Sequence, residues 1–365
     1  MKSRHGSEAP RGPAVAGRGI LAEPCEARSE ASERARNAIL SSIAASATED
    51  PPCGKPRGFL AKKGEAVSLI VVGSIALDTI KTPAAARRNI LGGSVSYACA
   101  AASFFARAGL VGVVGRDFPA RYRAVFDKFH IDQRGLQAAD GKTFRWSGVY
   151  ERNLNNRRTL STDLNVFADF TPDLPPAYRA SPFLFLANIA PELQLRVLAQ
   201  MCAPRFVAAD TMDLWLKTAR RALLKVIRRV DMLLINDSEA RELTGEEHLV
   251  QAARRVLAMG PRYVVIKKGE HGSLLFSKHG LALVPAYPVD EVHDPTGAGD
   301  AFAGGLIGVL ARTRRITPGT VRRAMVYGAC VASFAVESFG LEKLQTIRRA
   351  DIETRVRQFL RMIRC

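Results

Sequence analysis

Cysteine is sparse and scattered: six residues, Cys25, Cys53, Cys99, Cys202, Cys330 and Cys365, with no Cys-x-x-Cys pair among them. That spacing excludes a zinc ribbon and implies no disulfide framework, so a reducing, cytoplasmic setting is expected. Long apolar runs are missing as well. The longest, such as AFAGGLIGVLA at 301–311, fall short of the roughly 20 residues that a bilayer crossing takes, and no membrane partner is expected. Residues 1–30 lack the continuous apolar segment of a secretory signal, and Glu8, Glu23, Glu26, Glu30 and Glu33 argue against an organelle transit peptide. The metalloprotease pattern His-Glu-x-x-His does not occur. Gly141-Lys142-Thr143 imitates a Walker A loop only in part, with Leu136 where that loop requires glycine.

What is present is the composition of a globular protein. Of 365 residues 47% are apolar and 24% charged, enough for one large α/β domain or two ordinary ones. Lys and Arg outnumber Asp and Glu by 53 to 35, a formal charge of +18, which attracts polyanions. The basic residues are scattered, without zinc-finger spacing or an RNA-binding aromatic motif. They therefore point to a polyphosphate ligand or a generally basic proteome, and no nucleic-acid partner is expected. Residues 1–67 hold 11 Lys/Arg against 8 Asp/Glu and show no sustained apolar periodicity. They read as a poorly ordered extension, or as the product of a misassigned start.

From Ser68 the pattern changes. SLIVVGSIAL reads as a buried strand, the small and apolar residues after Gly92-Gly93 as a tightly packed helix, and LVGVVG as a second strand. Further apolar runs predict strands at 183–187, 205–209, 232–235 and 263–267, separated by helices such as 191–201 and 213–229. Strands alternating with helices predict a mostly parallel central sheet covered by helices on both faces. Between Lys142 and Phe170 the alternation breaks: Phe144, Trp146, Gly148 and Tyr150 recur at period 2 among polar residues. These predict strands with one wet face, a small antiparallel β lid outside the central sheet.

The strongest chemical signal is a glycine-rich turn running into a helix, His293-Asp294-Pro295-Thr296-Gly297-Ala298-Gly299-Asp300. Glycines let the backbone approach an anion, and the N–H groups from Gly297 to Asp300, with the positive end of the helix dipole, would hold a phosphoryl group. Asp300 reads either as a capping carboxylate or as a general base that takes the proton of a hydroxyl attacking a phosphate. Other candidates follow strands, at the edge where open α/β sheets bind ligands. Asp78, after Gly73-Ser74-Ile75-Ala76-Leu77, suits a sugar diol or caps a turn. Gly92-Gly93 reads locally as a simple turn. Asn236-Asp237-Ser238-Glu239 offers carboxylate and amide oxygens after a strand, or begins a helix with Asn or Asp as cap and Glu in the first turn. In Lys267-Lys268-Gly269-Glu270-His271-Gly272, Lys268 would contact a phosphate, or the segment is a solvated strand end.

The run DPTGAGDAFAGG at 294–305 resembles the C-terminal signature of the PfkB, or ribokinase-like, carbohydrate and nucleoside kinases, and the remaining motifs occur in that family's order from about Leu69 to Gly340. The resemblance implies a Rossmann-like (ribokinase-like) three-layer α/β sandwich over 68–345, with a small β lid in segments near 79–92 and 142–170, completed by a C-terminal helix over 346–365. It implies ATP as phosphate donor, Mg²⁺ as helper, a small-molecule sugar or nucleoside as acceptor, and a homodimer formed through the lid. Residue by residue it implies Asp300 as the base beside the amides of Gly297, Ala298 and Gly299. Asp78, Gly92, Gly93, Tyr97 and Asn188 would meet the acceptor, with Gly92-Gly93 as the family's di-glycine at the lid hinge, and Asn236, Lys267, Lys268, Gly269 and Gly272 the nucleotide. Glu239 would hold Mg²⁺ through water, and Asp294 with Thr296 a monovalent cation such as K⁺.

The acceptor stays open. Ala76 and Tyr97 stand where the ribokinase pattern has asparagines on the sugar, which disfavours ribose, while the flat face of Tyr97 would stack on a purine or sugar ring. Gly73-Ser74-Ile75-Ala76, Asp294-Pro295-Thr296-Gly297 and Glu337-Ser338-x-Gly340 look more like bacterial adenosine kinases and favour a purine nucleoside. Asn153, Asn155, Asn156, Arg157 and Arg158 on the lid suit a hexose or a phosphorylated sugar instead, and Trp146 would cover the substrate. A catalytically silent ligand-binding member is the alternative from another class. An NAD-linked dehydrogenase fails, since only Gly73 of the required Gly-x-Gly-x-x-Gly follows the first strand.

Overall fold

Leu69–Val72 (β1), buried throughout, forms the spine of the main sheet, and its alternation explains why helices lie on both sides. Leu69 and Val71 enter one apolar core, Ile70 and Val72 the other, as the period of two dictates for a strand covered on both faces. This computed structural model describes residues 67–154 and 156–363. The extension expected over 1–67 falls outside them apart from Val67, as do Asn155, Arg364 and Cys365.

The remaining strands follow in chain order: Ala76–Lys81 (β2), Ala86–Gly92 (β3), Ala108–Gly115 (β4), Asp132–Ala139 (β5), Arg145–Tyr150 (β6) and Arg157–Asp163 (β7). Then come Phe183–Leu186 (β8), Phe206–Asp210 (β9), Met232–Asn236 (β10), Tyr263–Lys267 (β11), Ser273–Ser277 (β12) and Gly280–Val284 (β13). Among the described residues one sheet runs β13-β12-β11-β10-β9-β8-β1-β4-β5, and a second runs β3-β2-β6-β7. The large sheet is parallel from β11 through to β5 and antiparallel only at β12 and β13. The mostly parallel three-layer α/β architecture read from the sequence is the one observed. The small sheet is built of two antiparallel hairpins, and these join through a parallel pairing of β2 with β6.

Three departures have local causes. The run SLIVVGSIAL is not one strand: β1 stops at Val72 and the chain crosses into the small sheet at Ala76. The crossing is pinned by a reciprocal pair, the Ser74 amide on Ser94 Oγ and the Ser94 amide on Ser74 Oγ, each at 3.1 Å. The stretch 213–229 is two helices, Asp213–Thr218 and Arg220–Ile227, broken at Ala219, whose φ of −135° is not helical. Strand β5, at the edge of the sheet, carries polar and half-exposed residues and gives no apolar run to read, while the short apolar stretches of β12 and β13, LLF and LALV, form an antiparallel hairpin outside the strand-helix alternation.

One contact sets the geometry of the site. The helix Ser94–Ser103 lies directly against the helix Ala298–Thr313. A Cβ on Gly304 would fall 2.2 Å from the carbonyl oxygen of Ala98, and one on Gly308 2.9 Å from that of Ala102. Small residues on both sides permit this approach, and an added methyl would cost about 1–3 kcal/mol or displace a helix. The matched order of the contacts makes the two helices parallel, so their N-termini share one end of the molecule. The carboxyl ends of β1, β8, β9, β10 and β11 meet them there. Among the described residues no helix is long and apolar enough to cross a membrane.

Candidate active site

Gly297, with φ 75°, turns the chain into the helix Ala298–Thr313. A Cβ there would strike the Tyr97 ring at 2.4 Å, so both the left-handed backbone and the close ring demand glycine. Ala298 N–H is used by the Pro295 carbonyl at 3.2 Å and Ala301 N–H by the Gly297 carbonyl at 2.8 Å. That leaves the amides of Gly299 and Asp300, rather than Ala298, for an anion at the positive end of the helix.

Asp300 is the third residue of that helix and half-buried. Burial, then the charge of Asp210, push its carboxyl up to about 7, with Lys267 and Arg157 opposing. Lys267 ends β11. A Cβ on Gly299 would lie 3.7 Å from its Nζ, so it is Lys267, not Lys268, that reaches the first turn of the helix. Its ammonium pairs with Asp210 Oδ2 at 2.5 Å. Burial works against that charge, but Asp210, Glu239 and Asp300 together hold its pKa above the ordinary value. Asp210, the last residue of β9 and 3% exposed, escaped the sequence reading, because nothing in FVAAD separates it from a strand-ending aspartate.

Asp78, on β2, is 4% exposed and paired in register with Ile90 and Trp146. Burial, then the charge of Asp294, push its carboxyl up to about 8, while Asp300 adds to the rise and the Gly93 amide and Arg157 oppose it. Gly92 leaves the space this carboxylate fills, and Gly93, with φ 89°, would bring a Cβ within 2.3 Å of the Ser74 carbonyl. Asn188 follows β8; its Oδ1 accepts from Trp215 Nε1 at 2.8 Å and its carbonyl from Ser94 Oγ at 3.2 Å. Tyr97 corrects the stacking expectation. It is 1% exposed, with its ring under Gly297 and its hydroxyl without a hydrogen-bond partner among the described residues, so it offers no face to a ligand.

Asn236 and Glu239 make the capping box of the helix Asp237–Thr244: Asn236 Oδ1 accepts from the Glu239 amide at 2.7 Å, and Glu239 Oε2 from the Asn236 amide at 2.9 Å. Burial raises the Glu239 carboxyl to about 7, Lys267 opposing. The turn after β11 closes on itself through Lys268 N–H and the Gly272 carbonyl at 2.8 Å, with Gly269 exposed and Gly272 packed under the Val284 carbonyl. Asp294 is fully buried and braces its own loop, accepting from Thr296 N–H at 2.9 Å and Gly340 N–H at 3.4 Å. The Thr296 hydroxyl donates to Tyr150 on β6 at 2.9 Å, which ties the small sheet to the glycine turn. Trp146 lies over Gly148 on that sheet, and the Arg157 guanidinium sits 5.3 Å above the indole. Tyr150 was visible in the sequence only as part of an alternating pattern.

The sequence profile described as pfkB family carbohydrate kinase matches residues 66–347. A cytidine kinase of Thermococcus kodakarensis is 31% identical over 254 residues, 68% of this chain and 90% of that protein. Of solved structures, the nucleoside kinase of Methanocaldococcus jannaschii, an archaeal member of the ribokinase family, is similar with a TM-score of 0.65 at 20% identity, covering 81% of this chain and 100% of that one. A putative ribokinase II from E. coli, in complex with ATP and Mg²⁺, is similar with a TM-score of 0.66 at 18% identity, covering 80% and 99%. At such identities the two structures bear on the fold.

Proposed function

Because the chain belongs to the pfkB family of carbohydrate kinases, and is therefore a phosphotransferase with an alcohol acceptor, we propose that it moves the γ-phosphate of ATP to the hydroxymethyl group of a nucleoside, with Asp300 as general base. One observation carries this reading: the Lys267 ammonium, from the end of β11, stands against the first turn of the helix that carries the Asp300 carboxylate and has two amides to offer. The acceptor oxygen forms its bond to the γ-phosphorus as the bond to the β-phosphate oxygen breaks. Asp300 takes the hydroxyl proton, and ADP leaves. A base whose carboxyl titrates at about 7 suits that transfer at neutral pH. Charge on the moving phosphoryl group is met by Gly299 N–H, Asp300 N–H and Lys267, and Asp78 orients the acceptor.

Mg²⁺ keeps several waters and takes one or two carboxylates plus substrate phosphates. The donors here fit that habit: Glu239 has one carboxylate oxygen beyond its capping bond, and no cluster of three metal-binding side chains exists among the described residues. The bound ion would neutralise charge on the β- and γ-phosphates.

A nucleoside is favoured over a free sugar by two observations. A relative matching most of both chains is a cytidine kinase, and beside Asp78 stands the Trp146–Arg157 stack. A coupled ADP-release screen over cytidine, adenosine, inosine, ribose and fructose tests this. Turnover confined to the free sugars would overturn the nucleoside assignment, and tight ligand binding with no turnover of any acceptor would favour a silent binding protein.

A further inference from the structure

The Asp210–Lys267 pair is costly as a structural device. Two charges taken out of water recover their hydration only through close geometry and further hydrogen bonds, and a well-packed apolar pair would often serve stability as well. Here the geometry is close, 2.5 Å, with side chains 19% exposed at Lys267 and 4% at Asp210. The carboxylate is itself held: Asp210 Oδ1 accepts from the Thr211 amide at 2.8 Å, and the Asp210 carbonyl from Gln194 Nε2 at 3.1 Å. Asp210 and Lys267 end β9 and β11 on either side of β10, so their separation is set by the sheet and not by a loop. An ammonium has three donors, and Asp210 takes one of them. The group it fixes stands against Gly299, where the helix offers its amides.

We propose that Asp210 is a positioning residue that holds the Lys267 ammonium at the first turn of the helix Ala298–Thr313, in place for the terminal phosphate of a nucleoside triphosphate. The inference rests on the kinase reading and assigns to that site a residue which touches neither substrate. Lysine is a point charge on a flexible four-carbon stem, and without a fixed partner it would sample many positions around a phosphate. Asp210 removes that freedom before the nucleotide arrives. The terminal phosphate then meets a charge already in position, and this matters most as charge shifts during transfer.

The test is a cycle of Asp210→Asn, Lys267→Met and the double variant, each with melting temperature, kcat, KM for ATP, and calorimetric Kd for ATP and ADP. Asp210→Asn is expected to lower kcat by about tenfold to a hundredfold, with KM for ATP changed far less, and to lower it less than twofold in the Lys267→Met background. Equal losses in both backgrounds, or no loss in either, would overturn the proposal. The double variant removes both charges and serves as the folding control. Should Asp210→Asn not fold, Asp210→Glu, which moves the charge by one methylene, is read in its place with the same two outcomes. A wild-type chain that turns over no acceptor overturns the kinase reading and leaves this pairing to calorimetry. There, Lys267→Met should narrow the preference for ATP over ADP. Asp210→Asn should narrow it in the wild type and not in Lys267→Met, and an equal narrowing in both backgrounds would sink the pairing.

Discussion

The carboxylate of Asp78 occupies the space that a side chain on Gly92 would need: a Cβ at Gly92 would lie 1.8 Å from Asp78 Oδ2. The two residues sit on paired strands of the small sheet, Asp78 on β2 and Gly92 at the end of β3. A buried acid therefore keeps its place because its neighbour has no side chain.

Replacing Gly92 with Ala should consequently act on the acceptor. The methyl cannot coexist with the observed rotamer, so Asp78 must turn away. KM for the acceptor is expected to rise at least tenfold, while Kd for ATP, measured without acceptor, changes less than twofold. Weakening of both to the same extent would mean that the hinge as a whole has moved.

Asp300→Asn removes the proposed base while keeping its shape. kcat should fall by about 10²–10⁴, with ATP binding retained. In the wild type kcat/KM for the acceptor should climb as pH rises through about 7, where the buried carboxyl gives up its proton. Lys267→Met withdraws the charge that opposes this rise and should move the limb to higher pH. A limb that stays in place in that variant would detach it from Asp300.

Stability should run the other way. Asp300 and Glu239 titrate at about 7 and Asp78 at about 8, against about 4 for such groups in an unfolded chain. Their protonated forms favour the fold, so this contribution is complete below the unfolded value and is lost as pH climbs through 7 to 8, where charging them burdens the folded state alone. The nucleotide-free protein should melt at lower temperature at about pH 9 than at about pH 6. Asp300→Asn should flatten the slope and melt higher than wild type at the alkaline end. A melting temperature that rises over this interval would contradict the assignment.

Tyr150→Phe breaks the hydroxyl contact between β6 and Thr296. A net hydrogen bond is worth about 0.5–1.5 kcal/mol, so KM for the acceptor should rise by no more than about tenfold, with kcat nearly kept. A large fall in kcat at constant KM would instead give the phenol a part in the chemistry.

Much of the site was legible because it is local. The turn from Gly297 to Asp300 is contiguous, its glycines have steric reasons, and the helix that follows reads directly from AFAGGLIGVLA. Asn236 and Glu239 were legible in both their guises, and the capping box accounts for one of them. Tyr97 misled, since a tyrosine in a run of small residues looks the same whether its ring faces a ligand or lies under Gly297. Asp210 was silent because its meaning depends on Lys267, 57 positions along the chain.

Chain order and side-chain size were enough to determine the doubly covered parallel sheet, the polar strands of the small sheet and the glycine turn into the helix, because periodicity and glycine act over a few residues. Which lysine faces the helix, which carboxylate holds it, and whether an aromatic ring is exposed were decided only when β9 and β11 took places flanking β10 and two parallel helices closed over Ala98 and Gly304. Charge interaction and burial depend on distance in space, and distant segments of a chain acquire that distance only by packing.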